Sequence, residues 1–315
     1  MAIQITRTGK NTLILETPVM PAAGTFGFGD VYRDIINFEK LGAIVTNPIS
    51  YEPRTAAHGA RVIRLDSGVL IHTGLPNLGI NKVLRKYRTL WTMLPLPIII
   101  HLIGTTPDHV RKSAARLDEE EGVDAIELGL NDDISQDVAA DLIHAATSRT
   151  EKPVMVRLPT TDTMNIAKIA IEEGASTLVA CSAPRGTARD PRTGHMMSGR
   201  IYGPIIKPMI LRIVAQLAQT FADIPIIGSG GIHTPQDARD YIHAGARAVQ
   251  VDTVTWIQPQ LLEHIARDLG GWIVTRESGA LPDEWHPMMG DTEKKRRNQP
   301  DIGYDEDELM DKLRR

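Results

Sequence analysis

Eight short apolar runs recur along the chain, with helix-patterned stretches between them. They are TPVMPAAG (17–24), GAIVTNP (42–48), PIIIHLIG (97–104), AIELGL (125–130), PVMVRL (153–158), TLVACS (177–182), IPIIGSG (224–230) and RAVQVDT (247–253). Most are continuous rather than alternating, the pattern of parallel strands covered on both faces. The segments between them carry helix signals. TPDHVRKSAARLDEEEG has Pro107 and Asp108 in its first turn and reaches Gly122. DTMNIAKIAIEEG starts at an Asp162 cap and stops at Gly174, and TPQDARDYIHAG starts at Thr234 and stops at Gly245. KPMILRIVAQLAQTF and PQLLEHIARDLGG are amphipathic at helical spacing. Eight such alternations predict an α/β fold, a (β/α)8 TIM barrel. A doubly wound open sheet is the alternative, but no GxGxxG follows the first run.

Residues 1–274 are expected to form one barrel domain, with long inserts at 49–96 and 183–203. Connections of that length usually carry function. Residues 275–315, with DTEKKRRNQPD and YDEDELMDKLRR, read as a charged C-terminal extension. Lys+Arg 35 against Asp+Glu 39 leaves a net charge of −4, which is no footprint for nucleic acid or an anionic membrane. No apolar run is long enough for a transmembrane helix, and the N-terminal stretch lacks the apolar core of a signal peptide. The single cysteine, Cys181, excludes an internal disulfide and a Cys-based zinc or iron–sulfur site. The expectation is a cytoplasmic protein acting on a small molecule, without a metal.

A barrel places its chemistry at the C-terminal ends of its strands. Those ends carry Ala22, Ala23, Gly24, Asn47, His101, Glu127, Asn131, Asp132, Asp133, Arg157, Cys181, Ser182, Gly230, Gly231, Asp252 and Thr253. GSGGI followed by TPQDA sets exposed amides before a helix N-terminus, and the next run ends at Asp252-Thr253. The last two strand ends of a barrel are where a phosphate is held. Asp132 and Asp133 are adjacent carboxylates suited to moving a proton, or else one of them caps the following helix. His101 is either a proton carrier or a core histidine satisfied by its neighbours. Arg157, at the end of a buried run, needs an anion, a carbonyl or a salt bridge to Glu127. Cys181 has no base in view and reads as buried and inert. Arg200 narrows a cavity or contacts an anion, or is a solvated loop charge.

The segments PVMPAAGTFGFGDVY (18–32), YEPR (51–54), SGVLIHTGLPNLGI (67–80), DPRTG (190–194), YGPIIKPMILRIVAQL (202–217) and 224–253 resemble, in order, those of the dihydroorotate dehydrogenase family of class 1 type. The resemblance implies a homodimeric FMN-dependent barrel that moves a hydride between flavin and a C–C bond. It places Ala22, Ala23, Gly24, Asn47, Arg157, Gly203, Gly230, Gly231, Asp252 and Thr253 at the cofactor. It places Ile71, His72, Asn131, Cys181 and Ser182 at the substrate, and Asp132 or His101 at the proton transfer. Departures from the family accompany it. Asn47 and Arg157 stand for lysines, His101 for an asparagine, Asp252 for a glycine, and Ile71 and Cys181-Ser182 for substrate-orienting polar residues. The expectation is therefore a substrate other than dihydroorotate. The alternatives are a flavin-independent barrel lyase, isomerase or hydrolase acting on a phosphorylated small molecule, and a non-catalytic ligand-binding paralogue.

Overall fold

The computed structural model describes residues 2–8 and 12–278. Strands β1 (Ile3–Gln4) and β2 (Ile14–Leu15) form a short antiparallel hairpin. The first two barrel strands follow, β3 (Val19–Pro21) and β4 (Ile44–Val45). The first insert holds β5 (Val62–Leu65), β6 (Gly68–Ile71) and helix α1 (Ile80–Trp91). Then strand and helix alternate through β7 (Ile98–Ile103), α2 (Pro107–Asp118), β8 (Ala125–Gly129), α3 (Gln136–Thr147), β9 (Val154–Arg157), α4 (Thr163–Glu172) and β10 (Thr177–Ala180). The second insert is the hairpin β11 (Arg185–Arg189) and β12 (Met196–Tyr202). The barrel resumes with α5 (Lys207–Thr220), β13 (Ile226–Ser229), α6 (Pro235–His243), β14 (Ala248–Val251) and α7 (Leu261–Ser278).

All eight predicted runs are strands of one parallel sheet, in the order β3-β14-β13-β10-β9-β8-β7-β4. The sheet curls until β3 and β4 meet, where the Gly42 N–H donates to the Val19 carbonyl at 2.8 Å. Inward side chains stack in layers, because residues two apart on a strand share a face. The layer at the N-terminal ends is apolar: Met20, Val45, Ile99, Ala125, Met155, Val179, Ile227 and Ala248. Ile5, Leu13 and Leu15 belong to the same cluster, so the β1–β2 hairpin plugs that end.

The two inserts are not loose loops. Their strands join in one antiparallel sheet, β11-β12-β6-β5, with Ile71 opposite Arg200. Helix starts follow the expected side chains in part. The Thr106 hydroxyl caps α2 through the His109 N–H, and the Thr234 hydroxyl caps α6 through the Asp237 N–H. Asp162 precedes α4 without capping it; its backbone is left-handed, and its carboxylate accepts from Gln136 and Asn165 instead. Neither Asp132 nor Asp133 caps α3, since the hydroxyl of Ser135 does so. Residues Met1–Gly270 form one unit that contains the barrel, and a second, Gly271–Arg315, is described only to the end of α7. Most of the expected charged extension, from residue 279 onward, lies outside the described residues.

Candidate active site at the strand ends

Moving two residues along each strand from the apolar layer changes the chemistry. Ile99, Ala125, Met155, Val179, Ile227 and Ala248 give way to His101, Glu127, Arg157, Cys181, Ser229 and Gln250. These side chains form a buried polar floor. Glu127, with no solvent exposure, is its centre. Its carboxylate accepts from Arg157 Nε at 2.8 Å, His101 Nδ1 at 2.7 Å and Gln250 Nε2 at 2.6 Å. Burial opposes this charge, but the Arg157 guanidinium and the His101 ring outweigh it and hold the carboxyl well below its usual range. Arg157, 8% exposed, also donates to the Cys181 carbonyl and the Ser229 hydroxyl, each at 3.1 Å, and to Gln250. The predicted salt bridge to Glu127 is therefore present, and the same guanidinium still reaches the cavity above.

A carboxylate only accepts, so His101 Nδ1 carries the hydrogen of its bond to Glu127. The other ring nitrogen, Nε2, lies against Gly129, where a Cβ would come within 2.7 Å of it. Glycine is what lets the ring sit at the cavity edge. The cavity is open at its mouth, and its space together with the adjoining solvent is about 740 Å³.

Of the residues expected at the cofactor, Ala22, Ala23, Arg157, Gly230 and Asp252 line this cavity, as do His101, Asn131, Cys181 and Ser182 from the expected reactive groups. The others stand off it. The Asn47 carboxamide oxygen accepts from the Gly27 N–H and braces the turn after β3. Gly203 passes so near Gly68 that a Cβ would clash. Ile71 pairs with Arg200 inside the insert sheet, and His72 is exposed beyond it. Gly231 and Thr253 lie behind Asp252, on which both donate. Asp132 is 4% exposed, with its carboxylate turned to two guanidinium groups: Arg185 Nε at 2.9 Å, and Arg200 at 3.0 and 3.1 Å. Its lone pairs are committed to charge-assisted bonds. Burial pushes the Cys181 thiol up to about 12, against the pull of Arg157, so it is no thiolate.

Leu75, Ile103, Tyr202 and Arg200 also face the cavity. Leu75, Ile103 and Tyr202 carried no sequence signal. Gln250 was readable: counting in twos from the buried Ala248 places an amide in the floor. Among the described residues no group of three or more His, Cys, Asp or Glu is arranged to hold a metal ion, and no helix is long and apolar enough to cross a membrane.

Comparison with known proteins is consistent across the chain. The dihydroorotate dehydrogenase family model matches residues 8–272. The catalytic subunit of dihydroorotate dehydrogenase B (NAD(+)) from Trichlorobacter lovleyi is 33% identical over 281 residues, covering 84% of this chain and 92% of that protein. The protein of the same description from Pelobacter propionicus is 32% identical over 277 residues, covering 83% and 91%. A solved structure of the dihydroorotate dehydrogenase of Eimeria tenella with ferulenol superposes with a TM-score of 0.68, at 21% identity, over 85% of this chain and 83% of that one. That last likeness speaks for the barrel fold alone.

Proposed function

The chain belongs to the dihydroorotate dehydrogenase family, and from that premise we propose that it is an FMN-dependent oxidoreductase with His101 as its proton carrier. The single observation behind this reading is the polar floor. A buried carboxylate orients an imidazole that lines the cavity at the strand ends. When bound, FMN supplies the two-electron chemistry, accepting or giving the hydride.

The cavity walls fit the ring portion of such a cofactor. Ala22, Ala23, Gly129 and Gly230 leave the walls small where a flat ring must lie, and Arg157 sets a fixed cation beneath. The chain's own residues then have distinct tasks. Glu127 orients the His101 ring through Nδ1, which leaves Nε2 as the nitrogen to give or take the proton paired with the hydride. Asp132, tied to Arg185 and Arg200, is the weaker candidate for that step. Arg200 and Arg157 present positive charge, and Asn131 and Ser182 present polar groups, which suits a small anionic substrate bearing carbonyls.

The relatives named above are dihydroorotate dehydrogenases, and no finding supports a different substrate. One of the substitutions that suggested one, Ile71, lines no part of the cavity. We therefore take dihydroorotate as the substrate type. The relatives' description as catalytic subunits supports an assembly with a second kind of chain, beside the homodimer expected from the resemblance. Light scattering on the purified chain tests the dimer.

The decisive experiment is the visible spectrum of the purified protein, followed by anaerobic addition of dihydroorotate. A flavin spectrum bleached by dihydroorotate is expected. His101→Asn should keep the flavin while slowing its reduction by about 10²–10⁴-fold. A colourless protein that takes up no added flavin would overturn the reading.

A further inference from the structure

At the ends of β13 and β14 the loop amides and the start of α6 converge, the arrangement with which a barrel receives a phosphate. In this chain that corner already holds a carboxyl group. Asp252, 3% exposed, follows β14 directly. Its Oδ2 accepts from the Gly231 N–H at 3.4 Å and its Oδ1 from the Thr253 hydroxyl at 3.3 Å. The Thr253 N–H donates to the same carboxylate. The cavity touches Asp252 and Gly230 but neither Gly231 nor Thr253. The carboxylate thus takes up donors that a phosphate would use.

Two neighbouring amides and a lysine are spent as well. The Asp237 N–H goes to the Thr234 hydroxyl, and the His233 N–H to the Asp237 carboxylate at 2.9 Å. Lys207, which opens α5, is closed between Asp237 at 2.6 Å and Asp240 at 2.5 Å. A side-chain atom left over is His233 Nε2, buried and without a hydrogen-bond partner; burial pushes the Asp252 carboxyl up, and the His233 ring works against that. A doubly charged phosphate entering here meets a buried carboxylate and amides that are already occupied.

We propose that Asp252 is a resident anion of the phosphate corner, and that this chain holds flavin by its ring and ribityl parts with little gain from the 5′-phosphate. The proposal rests on the flavoprotein reading above. Its consequence is a site that accepts riboflavin about as readily as FMN.

The test titrates the full chain, freed of flavin, with FMN and with riboflavin, following quenching of flavin fluorescence. Wild type, Asp252→Gly and Asp252→Asn are compared; the asparagine keeps the side-chain volume should the glycine fail to fold. In wild type the two Kd values are expected within about threefold. Each variant should tighten FMN by about tenfold or more and leave riboflavin unmoved. Calorimetry with inorganic phosphate alone forms a second arm, in which millimolar phosphate should bind the variants and not wild type. A wild-type preference for FMN above about tenfold, variants that move both flavins equally, or phosphate binding that does not differ between wild type and variants would each overturn the proposal. If no flavin binds any of the three proteins, the flavoprotein reading falls, and the phosphate arm alone decides whether Asp252 fills the corner.

Discussion

Replacing Glu127 by glutamine changes almost no volume and removes one charge from the centre of the polar floor. The carboxylate accepts from three donors: Arg157, His101 and Gln250. An amide accepts on one side only, so its NH2 group must face one of those donors. Arg157 is 8% exposed and keeps its bonds to the Cys181 carbonyl and Ser229, but its charge loses its counter-charge. Breaking a buried pair from one side costs about 3–5 kcal/mol. For a domain of this size that is a fall in Tm of about 5–9 °C. The loss depends on pH in a definite direction. The folded carboxyl is held below its ordinary value of 4.5, so its contribution is complete above that value. It then declines as pH falls toward the folded value, by about 1.4 kcal/mol per pH unit. Thermal unfolding of wild type and Glu127→Gln at neutral pH and near about pH 3.5 reads both effects. A gap below about 1 kcal/mol at neutral pH, or one of equal size at both pH values, would refute the reasoning.

Four further outcomes follow from the same contacts. Arg157→Lys exchanges a fork with four partners for one ammonium, and denaturant titration should show a loss of about 2–3 kcal/mol; an unmoved midpoint contradicts the network. Cys181, buried and with its thiol pushed up to about 12, should escape iodoacetamide in the native protein and be alkylated only in denaturant; native labelling seen by mass spectrometry counts against this. Tyr241→Phe leaves the Gly230 carbonyl without its donor at 2.6 Å, which calorimetry should register as about 1–2 kcal/mol. Burial raises the folded pKa of Asp252, against the opposing His233 ring and amides, so the stability linked to this group is full below its unfolded value and lost as pH rises through the folded one. Asp252→Asn should therefore be more stable than wild type at neutral pH and lose that advantage in acid; the reverse order in paired melts would be decisive against it.

The barrel was legible because a parallel strand covered on both faces is apolar at every position. PIIIHLIG announces Ile98–Ile103 without reference to any partner. The insert sheet was not legible, since its two hairpins join only through β6 and β12, across a long stretch of chain. Nothing near MMSGRIY says that it lies against GVLI. The floor was half readable. His101 and Arg157 stand out as polar residues inside apolar runs, whereas Gln250 emerges only from counting inward positions. Asp132 shows the limit of local reading. A carboxylate at a strand end suggests a base, and only the fold brings Arg185 and Arg200 onto it. Carrying Ile71 and His72 into the site by position failed for the same reason, because the register of β6 against β12 decides where they point.

The sheet formed by the two inserts has a consequence for how the protein is made. Ile71 pairs locally with Val62, but its second partner, Arg200, lies 129 positions further along. The closure of long loops is slow compared with local folding. Two of the barrel's eight strands, β13 and β14, leave the ribosome later still, and they bring Ser229, Gly230, Gln250 and Asp252. A nascent chain halted before residue 248 therefore has strands and helices but no finished chamber. Ligand capture is an event of the completed chain, and a ligand added to stalled intermediates of increasing length should begin to protect them from protease only when the last barrel strand has emerged.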